Sequence, residues 1–225
     1  MSQDRAAVLA AIEEEVRACT ACRLYQGTNN PVPGAGDPHA EIMFIGEGPG
    51  FHEDRLGLPF VGRSGDYLNY LLNLVGLNRD QVFITNVVKH RPPENRDPSP
   101  DEIVTCKGFL DRQIGIINPL VIATLGRYSM ARYFPDARIS SIHGQPRYDT
   151  DNQRVYYPLF HPAAALRNPG LRRDMETDFH RMIEVLAKVK AMRGEDAPQS
   201  EAEHQPQSPP PDDKPEEPPQ QLRLF

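Results

Sequence analysis

The chain has 225 residues, with 25 Lys+Arg against 31 Asp+Glu and a net charge of −6. That length suits one domain with a sizeable core, and no apolar run approaches the ~18 residues of a membrane span. The N-terminal stretch carries acids inside its apolar periodicity and lacks a signal-peptide core, so the chain is expected in the cytoplasm, acting as a monomer. In such a reducing compartment its three cysteines are expected to be ligands, catalytic groups or buried thiols rather than disulfides. The charge is unevenly placed. The last 32 residues hold 8 acids and 2 bases, so the whole imbalance falls on them and the rest balances at 23 of each sign. A neutral body with local basic runs remains compatible with a phosphate backbone as partner.

The pattern predicts alternating helices and strands in chain order. Residues 4–18 have helical spacing, with Val8, Ala11, Ile12 and Val16 on one face. "EIMFIG" (41–46) is a short apolar run ending in glycine, read as a buried strand. "SGDYLNYLLNLVG" (64–76) is read as a helix with Ser64 as N-cap and Gly76 as stop. "QVFITNVV" (81–88) is β-branched and strand-like. Residues 99–118 follow with Pro100 and acids in a first helical turn. Then come a strand at 120–126, a short helix at "RYSMARYF", a strand at 155–160 and a final helix over 171–193. No internal repeat is present. This alternation predicts an α/β fold, a three-layer α/β/α sandwich around a central parallel sheet. Ligands in such sheets sit beyond the carboxyl ends of the strands. That rule selects "GEGPG", "KHRPPENR" and "HPAAALRNP", which should converge at one end of the sheet.

Those loops carry the candidate chemistry. In "GEGPGFHEDRLGLPFVGRSG" (46–65) the glycines, Gly48 among them, can admit a ligand close to the backbone. The spacing matches neither a Walker loop nor a dinucleotide fingerprint. Glu47 and Glu53 are candidate catalytic carboxylates, and Phe60 could stack on a planar base. In "HPAAALRNP" (161–169) a histidine follows a buried strand, and a slim tip of Leu166 beside Arg167 suits a wedge entering a DNA stack.

Taken together, "CTAC", "GEGPG…ED…G.PFVG..G", "ITNVVK.RPP.NR.P", Cys106 and "HPAAALRNP" resemble the family 4 uracil-DNA glycosylases, the iron–sulfur branch of that superfamily. The resemblance runs from about Cys19 to the final helix. It implies that uracil is flipped out of DNA before its glycosidic bond breaks, with base excision repair as the setting. Phe60 matches the residue that stacks on the flipped base and Asn86 the amide that reads its edge. His161 matches the histidine near uracil O2, Glu47 the acid at the sugar, and Asn95 a further conserved-pattern position in "PPENR". A glycosylase of this kind needs no metal acting on the substrate.

The same resemblance implies a [4Fe–4S] cluster. Cys19, Cys22 and Cys106 match three of its cysteine ligands, and His90 stands where the family has the fourth. Imidazole can ligate iron, but two cysteines in CxxC with a further Cys and His also fit structural zinc. Ligand type alone leaves both open, and the resemblance favours iron–sulfur. One rival reading is a DNA-binding iron–sulfur protein that holds or covalently traps uracil-DNA without turnover. The lack of a basic insertion in "RPPENRDP" argues against trapping. A second rival, a zinc-stabilised hydrolase of nucleotides, lacks paired metal-binding carboxylates.

The domain is expected to occupy residues 1–193. Residues 194–225 are rich in Pro, Glu, Gln, Ser and Asp and read as a disordered tail. They end in "QLRLF", where Gln221, Leu222, Leu224 and Phe225 resemble a bacterial sliding-clamp binding peptide.

Overall fold

The computed structural model describes residues 4–193. The expectations for the tail, both its disorder and the clamp peptide at Gln221, Leu222, Leu224 and Phe225, lie outside the described residues.

Six strands make one sheet: β1 (Ala35–Gly36), β2 (Ile42–Gly46), β3 (Phe83–Asn86), β4 (Val121–Leu125), β5 (Arg147–Asp149) and β6 (Arg154–Leu159). Their spatial order is β1-β3-β2-β4-β6-β5. The central four are parallel, as expected. The two edges are antiparallel, β1 on β3 and β5 on β6, so the sheet is mixed rather than wholly parallel. The central strands alternate side chains between two apolar layers. Ile42 and Phe44 of β2 face one core with Val121, Ala123 and Tyr157, while Met43 and Ile45 face the other with Ile122 and Phe83. Burial on both faces explains why these strands read as continuous apolar runs.

Helices α1 (Arg5–Arg17), α2 (Phe51–Leu56), α3 (Arg63–Leu74), α4 (Pro100–Ile117), α5 (Arg127–Ala131), α6 (Ile139–Ile142), α7 (Pro162–Arg167) and α8 (Arg172–Arg193) complete the domain. Leu68, Leu71 and Leu72 of α3 and Phe179 and Met182 of α8 fill the first core; Leu110, Ile114 and Ile117 of α4 fill the second. Among the described residues no helix is long and apolar enough to cross a membrane.

Local signals set the helix ends. Asp4 caps α1 by accepting from the Ala6 and Ala7 N–H groups. Ser99 precedes Pro100, and Glu102 Oε2 accepts from the Ser99 N–H at 2.8 Å, starting α4. Helix α3 begins at Arg63 with Gly62 as its cap, two residues before the expected cap at Ser64. The physical reason is long-range: the Gly62 N–H donates to Glu53 Oε1 at 3.0 Å, which fixes the chain just ahead of the helix.

Candidate active site

The parallel register aligns four carboxyl ends. Gly46 lies opposite Asn86, and Leu125 opposite Leu159. The loops that leave these strands supply Glu47–Gly50, Pro92 and Asn95, Gly126–Arg127 and Phe160–His161, which line a cavity of about 830 Å³ with Arg96, Asp97, Leu166 and Arg167. Adjoining it, through the shared Gly48, Gly50, Ser64 and His161, is a smaller slot of about 130 Å³, bounded also by Glu53, Phe60 and Asn86. With liquid water at ~30 Å³ per molecule, that is room for about four waters, or one flat ring.

Phe60 is seated rigidly. It is 5% exposed and has a positive φ of 52°, a strained conformation for a bulky residue that its surroundings must impose. Arg79 does so by donating to the carbonyls of Phe60 at 3.0 Å and Pro59 at 2.5 Å. Gly65 leaves the room: a Cβ there would stand 1.8 Å from the Phe60 carbonyl oxygen. The Phe60 ring stacks near His161, with centroids 5.5 Å apart.

Asn86 ends β3 and is 1% exposed. Its Oδ1 is buried without a hydrogen-bond partner among the described residues, an arrangement that costs free energy unless a ligand supplies the donor. Its main-chain carbonyl accepts from Lys89 Nζ at 2.9 Å.

His161 opens α7, and its Nδ1 accepts from the Ala163 N–H at 3.1 Å. Nδ1 is therefore the unprotonated nitrogen, and Nε2 carries the hydrogen. Burial, helped by Arg167 and opposed by Glu53, holds the imidazole down to a pKa of about 4. At neutral pH His161 is an uncharged donor at the slot.

Glu47 lines the larger cavity and not the slot. Burial raises its pKa, and Asp97 raises it further, while Arg127 and Arg167 pull it down. Glu53 is placed differently from a free catalytic carboxylate. Its oxygens accept from the main-chain N–H groups of Gly50 (3.1 Å), Val61 (2.9 Å) and Gly62 (3.0 Å). It clasps the glycine loop to the Phe60 loop. Asn95 lines the cavity with a φ of 55°, and Arg91 Nε donates to its Oδ1 at 2.8 Å. Leu166 and Arg167 reach the same rim from α7. Asp97 and Arg127, paired with one another there, are not among the residues expected from sequence. The rule that selects loops after the other three parallel strands also points to Gly126–Arg127 after β4, and would have found Arg127.

The thiols lie on the α4 side of the sheet. Cys19 and Cys22 follow α1, and Cys106 is buried within α4. Burial raises the Cys106 pKa, Lys89 and its N–H lower it, and Cys22 and Cys19 raise it, so the three sulfurs lie within each other's electrostatic reach. The Lys89 N–H donates to Cys106 Sγ at 3.3 Å. Hydrogen bonds of this kind tune cluster sulfurs. Lys89 itself is 1% exposed, and its Nζ donates to Thr85 Oγ1, Gln113 Oε1 and the Asn86 carbonyl, with no carboxylate partner among the described residues. Burial lowers its pKa to about 7, with Cys106 opposing. His90, the next residue, is 5% exposed and makes no hydrogen bond among the described residues. Burial lowers its pKa and Asp54 raises it. Among the described residues no three Cys, His, Asp or Glu side chains converge on a single ion.

Glu102 joins this region to the cavity. It is fully buried and accepts from Arg23 Nε at 2.8 Å, Arg96 at 2.9 and 2.6 Å, and the Ser99 N–H. Arg23 adjoins Cys22, and Arg96 lines the cavity. Those arginines, with Arg96 foremost, hold the Glu102 carboxyl well below the usual carboxylate range.

The fold is that of a known class. The family model "Uracil DNA glycosylase superfamily" matches residues 33–187, and the chain belongs to that superfamily. Within it, the chain is similar to three proteins named Type-4 uracil-DNA glycosylase. That of Sulfurisphaera tokodaii is 48% identical over 80% of this chain and 85% of the relative. That of Saccharolobus solfataricus is 47% identical over 78% and 85%. That of Thermotoga maritima is 42% identical over 79% and 94%.

Proposed function

We propose that this chain is a monofunctional uracil-DNA glycosylase that begins base excision repair. The observation that carries the reading is the slot itself: an unpartnered Asn86 Oδ1 and the uncharged Nε2–H donor of His161 beside the ring of Phe60. Uracil offers an N3–H to the first, an O2 acceptor to the second and a flat face to the third.

The reaction then follows from the groups present. Leu166 and Arg167 enter the stack as the nucleotide turns out. Phe60 and Asn86 hold the base, with Gly48 giving its edge close backbone approach. The C1′–N1 bond breaks with its electron pair going to uracil, and the negative charge that develops on O2 receives the His161 hydrogen bond. A neutral donor suits this role, because it strengthens as the anion forms and needs no acidic pH. Water adds to the cationic C1′, its oxygen forming the new bond and its proton passing to the medium or the departing base. Glu47, in the larger cavity, orients that water or offsets the positive charge on the sugar. Asn95 and Asp97 border the same space.

The thiol site supports a [4Fe–4S] cluster held by Cys19, Cys22, Cys106 and His90. When bound, the cluster supplies a covalent staple between the loop after α1, the loop after β3 and α4. The partner is uracil-containing DNA. The clamp peptide at Gln221 to Phe225 rests on its sequence alone and adds a tether to the replication machinery; a cytoplasmic, monomeric enzyme is consistent with it.

The test is incubation with a uracil-containing oligonucleotide, alkali treatment and a denaturing gel. Alkali-dependent cleavage at the uracil is the expected result. An intact strand would reject glycosylase activity, and a shifted covalent band would mean trapping instead.

A further inference from the structure

Phe51 begins α2 directly after Gly50, whose backbone borders both the cavity and the slot. It is 48% exposed, a large apolar side chain left in solvent next to the cavity-lining Gly50. Two guanidiniums lie over its ring, Arg91 at 5.3 Å and Arg55 at 5.7 Å from the centroid. Arg55 is four residues along the same helix, a local pairing. Arg91 comes from the loop after β3, so two separate segments build the cluster. His52 meets the ring edge-on, with centroids 5.4 Å apart.

The arginines around the cavity divide into two kinds. Arg96 is tied to Glu102 and Arg127 to Asp97. Neither Arg55 nor Arg91 has a carboxylate partner among the described residues; the polar contact of Arg91 is its bond to Asn95. The carboxylate nearest in sequence on α2 that borders the slot, Glu53, is filled by main-chain N–H groups. An exposed ring under two guanidiniums that have no carboxylate partner among the described residues, one residue from the cavity-lining Gly50, has the composition of a single-strand platform: a stacking face with charges for the backbone.

We propose that Phe51, Arg55 and Arg91 bind an unpaired base of single-stranded DNA, next to the nucleotide in the slot. The base takes the face of Phe51. The displaced guanidinium turns to the adjoining phosphate, because base stacking on an aromatic ring exceeds an exposed cation–π contact. In a duplex the neighbouring base is already stacked and paired, so the platform discriminates between strands. The inference rests on the glycosylase reading only for the identity of the nucleotide in the slot.

The experiment measures binding of full-length protein to fluorescein-labelled, uracil-free oligonucleotides, single-stranded and duplex, by anisotropy at fixed salt. Phe51→Ala is expected to weaken single-strand binding on the order of tenfold and to leave duplex binding within about twofold. Phe51→Trp should retain single-strand affinity, which separates loss of stacking from loss of folding. Arg55→Ala should reduce the salt slope by about one. Unchanged single-strand affinity in Phe51→Ala, or equal losses on both DNAs, would overturn the platform. Uracil excision by the wild-type protein is read separately. Its absence would overturn the glycosylase reading, while the binding comparison would still decide the platform.

Discussion

Gly46 stands opposite Asn86 in the β2–β3 register, and a Cβ there would come 2.4 Å from Asn86 Oδ1 and 2.7 Å from the Phe60 ring. One missing methyl group thus lets the base-reading amide and the stacking ring share the slot. Gly46→Ala should displace both by a fraction of an ångström or more. Excision should fall on the order of 10²-fold, the scale for ~1 Å misplacement, while overpacking costs about 1–3 kcal/mol of stability. Single-turnover rates and urea denaturation measure the two losses, and an alanine variant with wild-type rates would remove this constraint. At this scale the sequence was informative about kinds of residue and less so about their roles. Phe60, Asn86 and His161 meet at the slot as expected. Glu53 looked like a free carboxylate because its three partners are main-chain N–H groups, which no residue pattern displays.

Glu102 acts between elements, joining Arg23 beyond α1, Arg96 before α4 and the first turn of α4 itself. Its folded pKa is depressed below the unfolded value. The stabilisation is therefore complete above the unfolded carboxylate pKa, near 4.3, and is lost as pH falls below it toward the folded value. Glu102→Gln should cost on the order of 2 kcal/mol at pH 7, less than the ~3–5 kcal/mol for a wholly buried pair because both arginines reach solvent. The wild-type advantage should shrink on acidification below about pH 4. Denaturant titrations of both proteins at pH 7 and pH 3.5 check this, and a constant gap would contradict it. Elements with strong periodicity, β2, β4, α4 and α8, were legible within one or two residues. Strands β1 and β5 were not: Ala35–Gly36 and Arg147–Asp149 are too short to show alternation, and only pairing with β3 and β6 makes them strands. The β4–α5 junction was legible as an element but not as part of the site, since Asp97 and Arg127 meet across 30 residues of chain.

Over the whole molecule, Lys89 connects the two sites. Its main-chain N–H reaches Cys106 Sγ and its ammonium holds the Asn86 carbonyl. A buried cation without a carboxylate is costly, and a metal-bound thiolate at Cys106 would offset it. Anaerobically purified protein should be brown and carry about four irons per chain. His90→Cys should keep the iron and His90→Ala should lose it more readily to a chelator. Iron and zinc analysis with absorption spectra measures this; colourless protein with stoichiometric zinc would reject the cluster, and equal iron retention in His90→Ala would reject His90 as ligand. The three cysteines and His90 were visible in the sequence, but that Cys106 lies within electrostatic reach of Cys19 and Cys22 depends on the packing of α1 against α4.

The central claim is that neutral His161 donates Nε2–H to the departing uracil. The direct measurement is single-turnover uracil release by wild type and His161→Ala across pH. Wild type should be level with respect to this group above about pH 5 and decline as pH falls through about 4, where Nδ1 gains a proton, can no longer accept from the Ala163 N–H, and the ring loses the bond that aims Nε2–H at the slot. His161→Ala should be slower on the order of 10²–10³-fold at pH 7, with DNA affinity and stability little changed. A His161→Ala protein that releases uracil at the wild-type rate would contradict the account.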